Sequence, residues 1–349
     1  MSYSHSPSLF FQKMYENIPQ HDFADFSLSD AKKYKLDQRE KFAGILGINS
    51  IPFKASDLSA RSIMVERKYE DYTLQRYEIT ICEDLIQPVY VLIPAGIQSP
   101  VPGVIALSGH GYGCADICGL LEDGTDRGTA DPGYQKNFAI EICKRGFIVA
   151  VPELIGFGDM RSETKISFNE QEGNSCYRYS TSSLLHGLNM AGLRVYQAMR
   201  TVDFLQGLSM VEPQKIGSMG ISGGGLVSAF LSVVDERIIA CVCSGYACTY
   251  KQSIMDIYHC IDNYIPGVLT SMGEMYNIFA TIAPRALLLE SGTEDTIFPI
   301  NAVRESVEQI RKLYKIFDAE DRLHHDIFEG DHQISGAMAY DFLKRYLDS

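Results

Sequence analysis

The sequence predicts an α/β fold: a mostly parallel sheet of the eight-stranded type, helices on both faces, and a helical extension at the N-terminus. Three observations predict it. From about residue 72, apolar strand-like runs and helical segments take turns along the chain. Several runs, among them PGVIALSG and IIACVCSG, are continuously apolar, as strands buried on both faces are. One run, KIGSMGI, passes into GGLVSAFLSVV through a serine hemmed in by glycines, which reads as a strand, a tight turn and a helix.

In chain order, residues 1–70 are polar and helix-prone, interrupted by Pro19 and Pro52. FQKMYENI and DAKKYKLDQREKFAGIL read as short amphipathic helices. We take 1–70 as an extension packed on the main domain, 71–349, or on a neighbouring subunit of a homo-oligomer. TLQRYEITIC alternates like a strand, and PVYVLIP, bracketed by Pro88 and Pro94, forms a second that opens the domain like a hairpin. PGVIALSG is the third strand. Residues 134–145 read as helix, FIVAVPE as strand, 183–207 as one long helix, KIGSMGI as strand and GGLVSAFLSVV as helix. IIACVCSG and ALLLESG are strands, 301–317 a helix, LHHDIFEG a strand and 335–347 a closing helix. Residues 246–280, rich in Tyr and Met, break the rhythm between two strands. An insertion there lies over the strand ends and is expected to wall a substrate pocket, with Tyr246 and Tyr264 as candidate lining residues.

Composition narrows the functional classes. Thirty-one basic against 44 acidic residues give a net charge of −13, which disfavours nucleic acid and anionic membrane surfaces. No apolar run nears the ~18 residues of a membrane span. The start, MSYSHSPSLFFQ, lacks a basic stretch followed by an apolar core, so a cytoplasmic location is expected. The nine cysteines are scattered without paired CxxC motifs and read as reduced, buried thiols.

Ser222 stands in G-I-S-G-G, a match to G-x-S-x-G with a strand before it and a helix after it. Such a turn forces the serine into a strained backbone and lifts its hydroxyl above the sheet edge, at a helix N-terminus. The motif lacks the Lys of a P-loop and does not fit GxGxxG, so no nucleotide cofactor is expected. A serine nucleophile needs a base, and the base an orienting acid, each on a loop after a later strand. Asp295 in GTEDTIFP and His332 in FEGDH stand at such loops. Glu294 is the alternative acid, and His324 and His325 lie inside a strand pattern. An oxyanion would be met by the Gly223 amide and by an amide of SGHGYGC, that of Tyr112 first and Gly111 second. His110 and Gly111 are also candidates for contact with substrate. No carboxylate or second histidine stands at ligand spacing from His110, so it reads as a brace for its loop, and no metal is expected. Asp159 and Arg161, in a glycine-rich loop at the same edge, are expected to pair with each other rather than to meet substrate, which is the alternative. His186 and His259 read equally well as packed or as pocket-lining.

HGYG (110–113), VPELIGFGDMR (151–161), GISGG (220–224), IAPRALLLESGTEDTIFP (282–299) and FEGDH (328–332) together resemble the α/β-hydrolase superfamily, and within it the dienelactone hydrolase and acetyl xylan esterase-like branch. The resemblance covers about 72–349. It implies Ser222, Asp295 and His332 as a triad, Gly223 and Tyr112 as oxyanion donors, and cofactor-free hydrolysis of a small-molecule ester. The chain departs from the branch at several points. Gly223 stands where the carbohydrate acetyl esterases have Gln, GFGDMR where they have an R-G-Q motif, and Gln333 where they have Glu. The dienelactone hydrolases use a cysteine nucleophile. The expected activity is therefore a serine esterase for small acyl groups. The alternatives are a peptidase or amidase of the prolyl-oligopeptidase type, or an idle hydrolase fold that binds without reacting.

Overall fold

Helix α1 (Pro7–Glu16) begins on a proline, whose fixed φ suits a first turn. Helix α2 (Leu28–Ile45) opens with a capping box: Ser27 Oγ accepts the Asp30 amide at 3.2 Å, and the Asp30 carboxylate accepts the Ser27 amide at 2.9 Å. These are the two helices expected in the extension. The computed structural model describes residues 6–21, 23, 25–64, 66–162 and 174–348. The end of the extension differs from expectation. β1 (Ala60–Ser62) and β2 (Arg67–Lys68) pair antiparallel with β3 (Tyr72–Cys82), so the sheet edge begins before residue 71.

The main body continues with β4 (Leu85–Pro94), β5 (Val101–Leu107), α3 (Cys114–Ile117), α4 (Phe138–Lys144), β6 (Ile148–Pro152), α5 (Cys176–Leu185), α6 (Met190–Gly207) and β7 (Val211–Ile221). Then follow α7 (Gly223–Val234), β8 (Ile238–Ser244), α8 (Val268–Met272), α9 (Met275–Ala280), β9 (Ala286–Gly292), α10 (Ile300–Ile316), β10 (Leu323–Phe328) and α11 (Ala339–Leu347). The sheet runs β1-β3-β4-β6-β5-β7-β8-β9-β10, with β2 on β3. β3, β4 and β6 pair antiparallel, and every pairing from β6 through β5 to β10 is parallel. Eight strands, β3 to β10, carry the fold, and two short ones extend its edge.

Alternate residues of the central strands feed two cores. Ile105 and Ile216 face the layer with Phe42 of α2, Val195 of α6, Phe230 of α7 and Ile310 of α10. Val104 and Met219 face Ile117 of α3, Phe138 of α4 and Leu343 of α11. The extension is tied in by Phe42, whose ring meets Phe230 edge-on at 4.8 Å. The helix expected over 183–207 is two helices. The chain turns at Gly187 (φ +74°), and Asn189 restarts it by accepting the Gly192 amide at 2.8 Å. No helix among the described residues is long and apolar enough to cross a membrane.

Candidate active site

The loops after β5, β7, β9 and β10 meet at the carboxyl edge of the parallel strands, where open α/β sheets hold their sites. Ser222 sits between β7 and α7 with φ +57° and ψ −125°, a conformation an L-residue adopts only under strain. Its amide is fixed at 2.9 Å to Ser244 O, and its carbonyl accepts the Leu226 amide at 2.9 Å. The turn is packed from below. A Cβ on Gly224 would stand 2.6 Å from the Leu107 carbonyl carbon and 2.7 Å from Ser108 O, so only glycine fits. A Cβ on Gly109 would lie 2.9 Å from Ile221 O and 3.2 Å from Ser222 Cβ, which sets the loop after β5 directly against the serine.

Asp295 and His332 are joined: Nδ1 of the imidazole lies 2.7 Å from Oδ2 of the carboxylate. Asp295 is buried, and its Oδ1 accepts the Ile297 and Phe298 amides at 3.0 Å each. Glu294, by contrast, is exposed. The His332 ring lies between Tyr134 and Phe298, with centroids at 5.7 and 5.6 Å and both planes within 23° of its own. Its Nε2 is buried and has no hydrogen-bond partner among the described residues. The imidazole also borders the serine turn. A Cβ on Gly245 would lie 2.9 Å from His332 Cε1, and the residue before it, Ser244, holds the Ser222 amide. His332 and Ser222 thus flank one peptide, Ser244–Gly245. His324 and His325 lie in β10 as expected, near Tyr346 Oη at 3.1 Å and Ser291 Oγ at 3.4 Å.

A model of the Abhydrolase family matches residues 6–329. The chain belongs to the Abhydrolase family. A protein of Bacillus subtilis (strain 168), provisionally named as the hydrolase YtaP, is 27% identical over 233 residues, which span 65% of this chain and 71% of that protein. Among solved structures, a Bacteroides fragilis NCTC 9343 protein provisionally named as an acetyl xylan esterase superposes with a TM-score of 0.77 at 19% identity, covering 93% of this chain and 83% of the other. A glucuronoyl esterase from Solibacter usitatus superposes with a TM-score of 0.67 at 14% identity, over 94% and 98% of the two chains. At these identities the likeness is one of fold, and the fold is that of the α/β-hydrolases.

In this abhydrolase the loop 108–114 is held by its neighbours. Gly109 N donates to Gln135 Oε1 at 2.8 Å, Tyr134 Oη donates to His110 O at 2.6 Å, and Cys114 N donates to Glu153 Oε1 at 3.0 Å. The Tyr112 side chain is turned to Leu120 and Arg127: its hydroxyl donates to Leu120 O at 2.7 Å and accepts from the guanidinium. Gly109 and His110 make the contacts to the Ser222 turn. The Nδ1 and Cε1 atoms of His110 each lie 3.4 Å from where a Cβ on Gly223 would be.

His110 does have a carboxylate beside it, contrary to the sequence reading. Its Nε2 is 3.2 Å from Asp262 Oδ2, on the 246–280 insertion. Spacing along the chain conceals this pair, because the fold brings the insertion over the loop. Asp262 is also bonded to Arg194, which donates to Cys176 Sγ at 3.2 Å and to Ile155 O at 2.8 Å. The donor atoms of His110, Cys176, Cys260 and Asp262 lie within 4.8 Å of one another, a spacing that suits a metal ion. The guanidinium already bonds two of those four, however, and supplies the cation itself, so the cluster reads as an ion-paired network. Burial works against charge on His110, but the Asp262 carboxylate outweighs it and pushes the imidazole up to about 10. Burial likewise opposes the Asp262 carboxylate, while His110 and Arg194 hold it well below the usual range.

Other expected residues take different places. Tyr246 is buried beneath the site, its ring 5.2 Å from Phe298 and 6.1 Å from Phe230. Tyr264 is half-exposed and borders a groove with Leu184, Ile254 and Leu269. Asp159 pairs with Arg76, and Arg161 with Glu122 at 2.7 Å, in place of the expected Asp159–Arg161 pair: the strand-edge arginine and the loop before α4 reach them first. His259 is buried, its Nε2 3.0 Å from Ser253 Oγ, and His186 is exposed. All nine cysteines are free thiols, eight of them buried. Sequence reasoning missed Glu153. It is buried, and burial raises its carboxyl to about 7 against the pull of the Cys114 N–H and S–H bonds.

Proposed function

We propose that this abhydrolase is a serine esterase that cleaves carboxylic esters with small acyl groups, with Ser222 as nucleophile, His332 as base and Asp295 as the orienting acid. One observation carries the reading. The His332 imidazole is bonded to Asp295 through Nδ1, while its other nitrogen is buried, has no partner among the described residues and lies beside the Ser222 turn. A nitrogen kept dry and unsatisfied there is suited to take the proton of an attacking hydroxyl.

The steps follow from that. His332 Nε2 takes the Ser222 proton as the oxygen bonds to the ester carbonyl carbon. The carbonyl oxygen becomes an oxyanion, met by the Gly223 amide at the start of α7 and by an amide of the loop after β5. The sequence favours the Tyr112 amide as second donor. The contacts of Gly109 and His110 with the serine turn favour His110 instead. The tetrahedral intermediate collapses, the alcohol leaves with the proton from His332, and water activated by the same imidazole releases the acid. Asp295 holds the ring in the required tautomer and favours its cationic form.

The carbohydrate esterases among the fold neighbours make sugar esters the first substrates to try. A fluorophosphonate probe labels wild type, and Ser222→Ala is not labelled. A panel of p-nitrophenyl esters from acetate to octanoate, with acetylated xylo-oligosaccharides and amino-acyl nitroanilides, is expected to favour the shortest esters. Unlabelled wild type would point to an idle binder, and anilide turnover with silent acetate would point to an amidase.

A further inference from the structure

We propose that His110 is a third oxyanion donor: its imidazolium, locked to Asp262 through Nε2, offers Nδ1–H to the carbonyl oxygen that Ser222 attacks. This rests on the reading of Ser222 as nucleophile.

The ring is fixed from several sides. Nε2 faces Asp262 at 3.2 Å, and Asp262 is pinned in turn by the buried Arg194. Phe157 meets the ring edge-on, with centroids 5.2 Å apart. The His110 carbonyl is held by the Tyr134 hydroxyl at 2.6 Å. With Nε2 committed to the carboxylate, the ring's Nδ1 and Cε1 lie against Gly223, the residue whose amide follows the nucleophile. Oxyanion holes do include histidine donors. The departure at 223 fits this. A glycine leaves open space beside the serine, and the His110 ring borders that space.

Charge decides what Nδ1 can do. A neutral ring bonded to a carboxylate through Nε2–H leaves Nδ1 an acceptor, which would repel an oxyanion. Only the imidazolium makes both nitrogens donors. Asp262 favours the charged ring, and its folded value of about 10 keeps it charged across the working range. The groups that face the ring are Asp262 and Cys260 of the insertion, Cys176 of α5 and Arg194 of α6. Tyr134 and His259 lie nearby. Loss of the His110 proton therefore converts a donor to an acceptor and slows the reaction on the alkaline side.

The test combines the pH profile of kcat for p-nitrophenyl acetate, in wild type, Asp262→Asn and His110→Gln, with 15N spectra of histidine-labelled protein. Wild-type kcat is expected to fall near pH 10. In Asp262→Asn that limb moves down by at least about one unit, since a shift of one unit reflects loss of a close charge. In His110→Gln the limb vanishes, and kcat drops about 10²-fold with little change in KM. In wild-type spectra at about pH 8, the histidine signal missing from His110→Gln is expected to show both ring nitrogens protonated. A neutral His110 there, or His110→Gln with wild-type kcat and an unmoved alkaline limb, overturns the proposal. If Asp262→Asn does not fold, the wild-type and His110→Gln spectra still decide. Active Ser222→Ala would sink the nucleophile reading separately, whatever charge state His110 shows.

Discussion

The strained turn at Ser222 makes a prediction that runs against intuition: replacing Ser222 with glycine should stabilise the protein relative to replacing it with alanine. Both variants lose the hydroxyl. Alanine keeps the Cβ, and with it the cost of φ +57° and ψ −125°. Such a conformation costs roughly 1–3 kcal/mol in an L-residue and almost nothing in glycine. Glycine gives back part of this, roughly 0.5–1 kcal/mol, through greater freedom in the unfolded chain. The net expectation is that Ser222→Gly exceeds Ser222→Ala by about 1 kcal/mol. With 349 residues and an unfolding entropy of about 2.1 cal/mol/K per residue, that is about 1.4 °C in Tm. Paired urea titrations and calorimetry on the two variants, at one pH, measure the difference. A glycine variant weaker than the alanine variant would refute the reasoning, because the backbone would then carry no strain worth relieving.

Three further expectations rest on the same neighbourhood. Gly224→Ala, which in an ordinary helix would stabilise, is expected to destabilise by roughly 1–3 kcal/mol and to lower activity. Its Cβ meets the Leu107–Ser108 backbone, which cannot move aside as a side chain could; urea unfolding and esterase assays read both effects. Asp295→Asn is expected to lower kcat by about 10⁴ while leaving the fold intact, because the imidazole then loses both its tautomer and its counter-charge; a loss under about tenfold counts against the acid's role. Glu153 links stability to pH. Burial raises its carboxyl from 4.5 to about 7, so between those values the folded chain binds a proton that the unfolded chain has released. The contribution is complete below about pH 4.5 and declines as pH rises to about 7, by roughly 3.5 kcal/mol at ~1.4 kcal/mol per unit. Glu153→Gln is expected to flatten that part of the wild-type stability–pH curve, and equal slopes in the two proteins would dismiss the assignment.

Much of this architecture is legible in the sequence because its signals are local. The β7–Ser222–α7 junction is written in eleven consecutive residues, 215–225, and the strands of the central sheet are continuous apolar runs that need no partner to be recognised. The pairing of Asp295 with His332 is legible because each stands on a loop just past a strand end, where a polar residue has few other tasks. The failures are those of longer range. β1 and β2 are three and two residues long, too short for any alternation to show, and exist only because β3 offers them an edge. The break between α5 and α6 is invisible to helical periodicity, since Leu184 to Leu188 continue an apolar pattern across the turn at Gly187.

The His110–Asp262–Arg194 network is the most instructive of these, because one member did leave a trace. Arg194 stands on the buried face of α6 among Ala191, Val195 and Ala198, all almost wholly covered. A guanidinium cannot be left alone there, since burying a charge without a partner costs several kcal/mol. An arginine in phase with the apolar stripe of a helix therefore demands an acid from elsewhere in the chain, although nothing in its own segment says which. Asp262 answers from 68 positions away and is shared with His110. Two cationic groups on one buried carboxylate leave the cluster with a net positive charge beside the Ser222 turn, in a protein whose overall charge is −13. A fold that needed only to anchor the insertion could have done so with a neutral pair or with apolar contacts, at lower desolvation cost. In the proposed mechanism that excess positive charge lies where negative charge would develop, on the oxyanion formed at Ser222.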